Sequence, residues 1–411
     1  VSDSASLGVR HQPGLEPLTA LTRPAAQQPE WPDGDRAASV RSALAASPPL
    51  VRWEEVRELG TLLARVAEGE LSVLQAGDCA EDPAECGAAD VALKTEMLDV
   101  LGDIMRVGAG RPVVRVGRLA GQFAKPRSRA HETVDGARLP VFRGPMVNGP
   151  EPTPEARRPN PARLLDCRAS AERSLRALEA LGRGAGCPPP ERVWTSHEAL
   201  LLDYEGPQVR PTGEGGHYLS SAHWPWIGER TRQPGNAHVR LLARLGNPVA
   251  CKVGPEATAE EVLELCTLLD PRRTPGRLTL IARFGAGAIG RLAPLVRAVR
   301  GAGHPVLWMC DPMHGNTVAD GTGLKIRHLD AVMNELRGFL SVVADAGGRC
   351  AGLHIESSPL DISECAGAGV TPVRGPRYRT LCDPRLNLMQ AVAVVAHWQP
   401  VTRLGVQPTV T

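Results

Sequence analysis

The stretch Val306-Leu307-Trp308-Met309-Cys310-Asp311-Pro312-Met313-His314-Gly315-Asn316-Thr317 decides how the chain folds. An apolar run without polar alternation passes directly into a turn carrying an acid and a histidine. A run that is apolar on both faces reads as a strand covered on both sides, as in a parallel sheet. The same unit recurs along the chain, with apolar runs at residues 71–76, 113–119, 193–202, 224–228, 249–253, 278–282, 306–309 and 352–355. Helix-length segments at 258–269, 289–300 and 328–344 separate several of them, and 52–69 has helical apolar spacing ahead of the first. Eight such strands fit an α/β chain closed as a TIM (β/α)8 barrel. The alternative is an open doubly wound sheet. Residues 1–50, rich in Pro, Ala and Ser, read as an N-terminal extension: an extended arm with a helix at 32–46. The barrel domain is expected over 51–411.

At 411 residues the chain is long enough for one large α/β domain. A 42% hydrophobic content, 22% charged residues and a formal net charge of +2 give no reason to expect nucleic acid or a membrane as partner. No apolar run approaches the roughly 20 residues that span a bilayer. Val1 to Arg10 lacks the apolar core of a signal peptide, so a cytoplasmic protein is expected. The ten cysteines are scattered without a CxxC pair and read mostly as buried thiols. Of the 47 basic residues only Lys94, Lys125, Lys252 and Lys325 are lysines.

Reactive side chains follow all eight runs, at the ends where barrel enzymes carry their chemistry. One group is cationic: Arg118, Lys125, Arg127, Arg230, Arg232, Lys252 and Arg283. Cations on or just after apolar strands are costly unless they meet anions, and guanidinium forks suit phosphate and carboxylate. Internal salt bridges to Glu198, Glu229 and Glu256 are the alternative, but the cations outnumber those acids. A second group is Cys79, His314 and Glu356, at the ends of runs one, seven and eight. A sulfur, nitrogen and oxygen set suits Mn2+, Co2+, Fe2+ or Zn2+ better than Ca2+ or Mg2+. Singly, each has an ordinary reading as a buried thiol, a loop histidine or a paired acid. Cys310 is spaced from His314 like a ligand pair, but Pro312 breaks the chain between them.

Several long strings occur in order: GDCAE (77–81), VGRLAGQFAKPRS (116–128), WTSHEALLLDYE (194–205), WIGERTRQ (226–233), CKVGPEAT (251–258), CDPMHGNT (310–317), HIE (354–356), SECAG (363–367) and CDPRLN (382–387). Together they resemble the type II (plant-like) 3-deoxy-D-arabino-heptulosonate 7-phosphate (DAHP) synthases. In length the chain is similar to the short forms of secondary-metabolite clusters. The resemblance implies a TIM barrel that condenses phosphoenolpyruvate with erythrose 4-phosphate. It implies Cys79, His314, Glu356 and Asp383 as ligands of a divalent metal, Mn2+ or Co2+ ahead of Zn2+ or Fe2+. It further implies Arg118, Trp226, Glu229, Arg230, Lys252 and Arg283 around phosphoenolpyruvate, and Lys125, Arg127 and Ser128 around the aldose phosphate. Lys125, Glu198 and Glu229 are the catalytic candidates, and Lys125, His197 or a carboxylate would activate water. A homodimer or higher homo-oligomer is expected. Residues 130–164 leave limited room for the helices with which longer members bind aromatic amino acids, so feedback inhibition is expected to be weak or absent. An amino-DAHP synthase of an antibiotic pathway and a non-catalytic metabolite-binding paralogue are the alternatives.

Overall fold

Eight short buried segments form one parallel sheet in the computed structural model, which describes residues 18–400 apart from 135 and 190. They are β1 (Ser72–Gly77), β2 (Val113–Arg118), β3 (Val193–Thr195), β4 (Trp226–Ile227), β5 (Val249–Val253), β6 (Leu278–Ala282), β7 (Leu307–Cys310) and β8 (Cys350–Glu356). Their order is β3-β2-β1-β8-β7-β6-β5-β4, with every neighbouring pair parallel. All eight expected strands are present, on shorter bounds at the third and fourth. The sheet is curled, and its ladder runs open from β3 to β4 rather than as the closed ring expected. Between those edges lie one parallel bridge, Glu198 to Trp226, and backbone hydrogen bonds from Trp224 N to Thr195 O (3.2 Å), Trp226 N to His197 O (3.0 Å) and Ala199 N to Trp226 O (2.9 Å).

Strand alternation sends side chains to two cores. Leu74 and Ala76 of β1 pack into the outer core shared with the helices, whereas Val73 belongs to an inner core with Val114, Trp194, Trp224, Trp226, Ile281 and Met309. Leu59, Leu62, Leu63 and Val66 of the helix Trp53–Glu68 join that inner core. Gly69 ends this helix in the left-handed region at φ 88°, as its position after the periodic run suggests. Inner apolar packing thus involves the starts of the strands and this helix, leaving polar chemistry to the strand ends. Helices Ala88–Ala109, Ala162–Ala180, Ala237–Leu242, Ala259–Leu269, Leu292–Gly301 and Leu329–Asp345 connect successive strands, and Leu388–Ala396 follows β8.

The described part of the N-terminal segment carries the expected helix. Its helix runs Gly34–Ala46, capped by the Asp33 carboxylate accepting from Arg36 N at 2.9 Å. The segment is fastened to the body by Trp31 Nε1 and Arg41 Nη1, both donating to Asp203 (2.6 and 3.1 Å). The signal-peptide reading of Val1 to Arg10 lies outside the described residues, as do the rest of 1–17 and all of 401–411. No helix among the described residues is long and apolar enough to cross a membrane.

Candidate metal centre and anion cavity

The end of β1 is drawn close to β2. Gly77 has φ 143°, and a Cβ there would come within 2.9 Å of Arg118 O, so glycine is required. The next residue, Asp78, is buried between Lys94 (2.9 Å) and Arg385 (2.6 Å), which fixes the turn carrying Cys79. Arg385 is also paired with Glu364 at 2.9 Å, so the same buried network holds the segment carrying Asp383. Leu386 N donates to Glu356 O (3.0 Å) and Asp383 N to Cys79 Sγ (3.2 Å). As a result one ligand atom each of Cys79, Glu356 and Asp383 lies within 4.8 Å of the others.

His314 stands beside this trio, its Nε2 3.1 Å from Glu356 Oε1. Its Nδ1 faces Asp311 Oδ2 at 2.7 Å. A carboxylate on one ring nitrogen selects the tautomer that leaves the other as a lone pair, the usual outer-shell arrangement of a metal-bound histidine. Two acceptors, Nε2 and Glu356 Oε1, then face each other and call for a cation. The Lys125 ammonium supplies one, 3.0 Å from Cys79 Sγ, 3.3 Å from Glu356 Oε1 and 3.0 Å from Asp383 Oδ2. Burial would lower the Lys125 pKa, but Asp383, Cys79 and Glu356 outweigh it and raise it well above the usual range. Burial likewise opposes ionisation of Glu356, yet its cationic neighbours, Lys125 and Arg327 among them, hold its carboxyl well below the ordinary value. A buried, cation-seeking S/N/O donor set therefore fits a borderline divalent ion.

Above this cluster opens a cavity of about 680 Å³. Lys125, Arg127, Ser128, Glu198, Glu229, Arg230, Lys252, Arg283, His314 and Asp383 all border it, so the structure gathers most of the expected site. Arg118, Trp226, Cys79 and Glu356 are buried and absent from its lining. The Arg118 guanidinium lies 5.0 Å over the Trp226 ring and 2.9 Å from Glu356 Oε1. Several cations expected to await anions are paired internally instead, though mostly with acids other than those anticipated. Lys252 meets Asp311 at 2.8 Å, and Arg127 meets Glu132 at 3.4 Å. Arg232 pairs with Glu229 (3.0 Å) and Glu261 (3.4 Å) and does not border the cavity. Among the described residues Arg230 and Arg283 have no carboxylate at ion-pair distance. Arg230 Nη2 donates to Ser128 Oγ (2.6 Å) and Arg283 Nη2 to His314 O (3.3 Å). Of the carboxylates bordering the cavity, Glu198 Oε1 and Glu229 Oε2 are buried with no hydrogen-bond partner among the described residues. Burial raises the Glu198 pKa, against Lys252, Lys125, Arg230 and Arg118.

The loops bearing these groups are gripped from behind. Glu81, fully buried, accepts from Ala120 N (3.0 Å), Gly121 N (2.8 Å) and Gln122 N (2.7 Å), shaping the loop between Arg118 and Lys125. Glu335 accepts from Phe284 N and Gly285 N (both 2.8 Å) and from Asn316 Nδ2 (2.7 Å), joining the loop of Arg283 to that of His314. These loops touch through two glycines, where a Cβ on Gly315 would lie 2.2 Å from Gly285 N. His197, a proposed water activator, is buried with Nε2 on Glu205 at 2.8 Å, and its ring leaves no room for a Cβ at Gly121. Cys310 is buried and stands outside the Cys79–Glu356–Asp383 group. Sequence reading missed Lys325, which borders the cavity and meets Asp383 at 2.7 Å, and Arg327, 2.7 Å from Glu356 Oε2. Lys325 carried one signal, its rarity as a lysine. Asp311 carried another, its three-residue spacing from His314.

The chain is similar to known proteins. A family model described as the class-II DAHP synthetase family matches residues 16–187 and 189–397. A probable phospho-2-dehydro-3-deoxyheptonate aldolase of Pseudomonas fluorescens is 47% identical over 386 residues, covering 91% of this chain and 94% of the relative. The phospho-2-dehydro-3-deoxyheptonate aldolase of Streptomyces coelicolor is 40% identical over 419 residues, covering 90% and 93%. The enzyme called AroG with the same activity name in Mycolicibacterium smegmatis is 36% identical over 430 residues, covering 91% and 92%.

Proposed function

Since the chain belongs to the class-II DAHP synthetase family, we propose that it joins phosphoenolpyruvate to D-erythrose 4-phosphate, with water, to give DAHP and inorganic phosphate. This is the first step of the shikimate pathway. The observation that carries the reading is a single cavity. The Lys125, His314 and Asp383 side chains border it, and so do Arg230 and Arg283, guanidiniums with no carboxylate at ion-pair distance among the described residues. Two anionic substrates repel each other, and such a cavity offsets that repulsion while holding them face to face.

In the reaction, carbon 3 of phosphoenolpyruvate attacks the aldehyde carbon and a C–C bond forms. Water adds at carbon 2, and the C–O bond to phosphate breaks there. Arg118, Lys252, Arg230 and Arg283, with Glu229 and Trp226, are the residues proposed to surround phosphoenolpyruvate. Lys125, Arg127 and Ser128 would receive the aldose phosphate. Cys79, His314, Glu356 and Asp383 would hold the divalent ion, Mn2+ or Co2+, which supplies Lewis-acid polarisation of the aldehyde when bound. Positive character that builds at carbon 2 faces the unpartnered oxygens of Glu198 and Glu229. Lys125, kept charged by its acidic neighbours, is suited to stabilise the negative charge that builds on the aldehyde oxygen.

The reading takes residues 51–411 as one closed (β/α)8 catalytic unit preceded by an arm, a closure supported by the Glu198–Trp226 bridge between the edge strands. It also has the enzyme acting in the cytoplasm as a homo-oligomer, which light scattering on the purified chain checks. The decisive experiment is phosphate release from phosphoenolpyruvate with added Mn2+ or Co2+, together with the product mass. Release that requires erythrose 4-phosphate and yields DAHP supports the proposal. No release under any metal, or a product containing nitrogen, overturns it.

A further inference from the structure

A line of buried polar side chains crosses the interior of the sheet, and its direction can be read from one backbone oxygen. Ser196 Oγ lies against Trp224 O, a carbonyl that can only accept, so the serine hydroxyl donates there. The serine oxygen then accepts from Gln75 Nε2 at 2.6 Å. This orients the Gln75 amide, whose Oε1 must face His354 Nδ1, its hydrogen-bond partner. That nitrogen therefore carries the proton, and His354 Nε2 is left with a lone pair. Arg118 Nη1, which can only donate, lies 2.6 Å from it. Every member is buried at 2% exposure or less, so water does not substitute for any link.

The remaining contacts of Arg118 are also committed. Its Nε donates to Asp78 O (2.9 Å), and its Nη2 to Glu356 Oε1 (2.9 Å) and Cys79 O (3.4 Å). A guanidinium has five N–H groups, so among the described residues one N–H, on Nη1, is left over. We infer that His354 is a positioning residue: as an Nδ1–H tautomer fixed by Gln75, Ser196 and Trp224 O, it holds Arg118 Nη1 so that the remaining N–H serves the enolpyruvyl substrate. The inference rests on the proposed reaction for its substrate, but the tautomer does not. The Trp226 ring meets His354 edge-on at 5.1 Å and lies under Arg118, closing the arrangement from the side.

Two substitutions separate wiring from packing. A glutamine at this position carries its amide oxygen to about the reach of imidazole Nε2, whereas an asparagine amide overlays only Nδ1. His354→Gln should keep the acceptor for Arg118, with KM for phosphoenolpyruvate within about 3-fold of the parent. His354→Asn should keep the Gln75 link, lose the acceptor and raise that KM at least ~10-fold, with kcat within about 3-fold. Equal KM values in the two variants, or a loss confined to kcat, would overturn the assignment. If His354→Asn does not fold, Gln75→Leu frees the tautomer and should give the same KM rise; an unchanged KM there also overturns it. In the parent protein, 15N spectra of labelled histidine should show Nδ1 protonated and Nε2 bare at this residue, and the opposite tautomer refutes the wiring. Absence of turnover in the parent would instead refute the reaction reading.

Discussion

The Lys125 ammonium rests 3.0 Å from the Cys79 sulfur, at the centre of the donor set that suits a divalent ion. The lysine thus neutralises buried acids wherever the ion does not. Removing it leaves Glu356 and Asp383 with less compensation, a loss on the order of 3 kcal/mol for a broken buried pair. Lys125→Met should therefore lower the melting temperature of metal-stripped protein by several degrees, and that of Mn2+-loaded protein by clearly less. Thermal melts with and without the ion check this; equal losses would contradict it.

Replacing the donors themselves tests the metal directly. Cys79→Ala, His314→Ala and Asp383→Asn should each reduce phosphate release at least ~100-fold and lower the bound metal measured by elemental analysis. Full activity in any of the three would exclude that residue as a ligand.

Glu198 sets a pH limb. Burial raises its pKa above the ordinary glutamate value, and the proposed role at carbon 2 needs the carboxylate. Activity should then climb as pH rises through that elevated value, and protonation on the acid side should switch it off. Glu198→Gln should leave a low rate without this limb. A pH–kcat profile of unchanged shape in the variant would remove Glu198 from the chemistry.

The contact between Gly285 and Gly315 couples the loops of Arg283 and His314. Gly315→Ala should force them apart, since the added Cβ would overlap Gly285 N. The expected outcome is weaker metal binding together with a higher KM for phosphoenolpyruvate, roughly 10-fold or more in each. Titration calorimetry with Mn2+ and steady-state kinetics would measure the two; a change in only one argues that the loops move independently.

Among the described residues the stretch 141–161 holds only one short helix, Pro154–Arg157. The expectation of weak feedback control follows from that economy. Initial rates with millimolar Trp, Tyr or Phe should stay within about 2-fold of the control, and strong inhibition by any of them would reject it.

The strands were legible because a parallel sheet buries both faces, and continuous apolar runs such as 249–253 and 278–282 then coincide with the elements found. A helix end was legible where the cap is chemical, as at Gly69. The run 193–202 was read too long because an apolar segment after Thr195 bends into irregular backbone, a change that hydrophobicity does not encode. The hairpin of 131–140, which borders the cavity, is half-exposed and polar, so it lacked a core-facing pattern. Charge counting also failed locally. It compared the cations with Glu198, Glu229 and Glu256, whereas Lys125 and Lys252 are satisfied by Asp383, Glu356 and Asp311. Those acids stand near in space through strand order, not in sequence. Asp383 follows no strand at all, and only the string around it marked it.

The Asp383 backbone N–H reaches the Cys79 sulfur across 304 residues of chain. During synthesis the sulfur emerges 304 residues ahead of the segment that completes its surroundings. Throughout that interval Cys79 lacks the partners that would make it a selective ligand. The proposed ion would then be acquired only once residue 383 has been made, and a product cut short before it would keep the sheet yet lack the complete donor set.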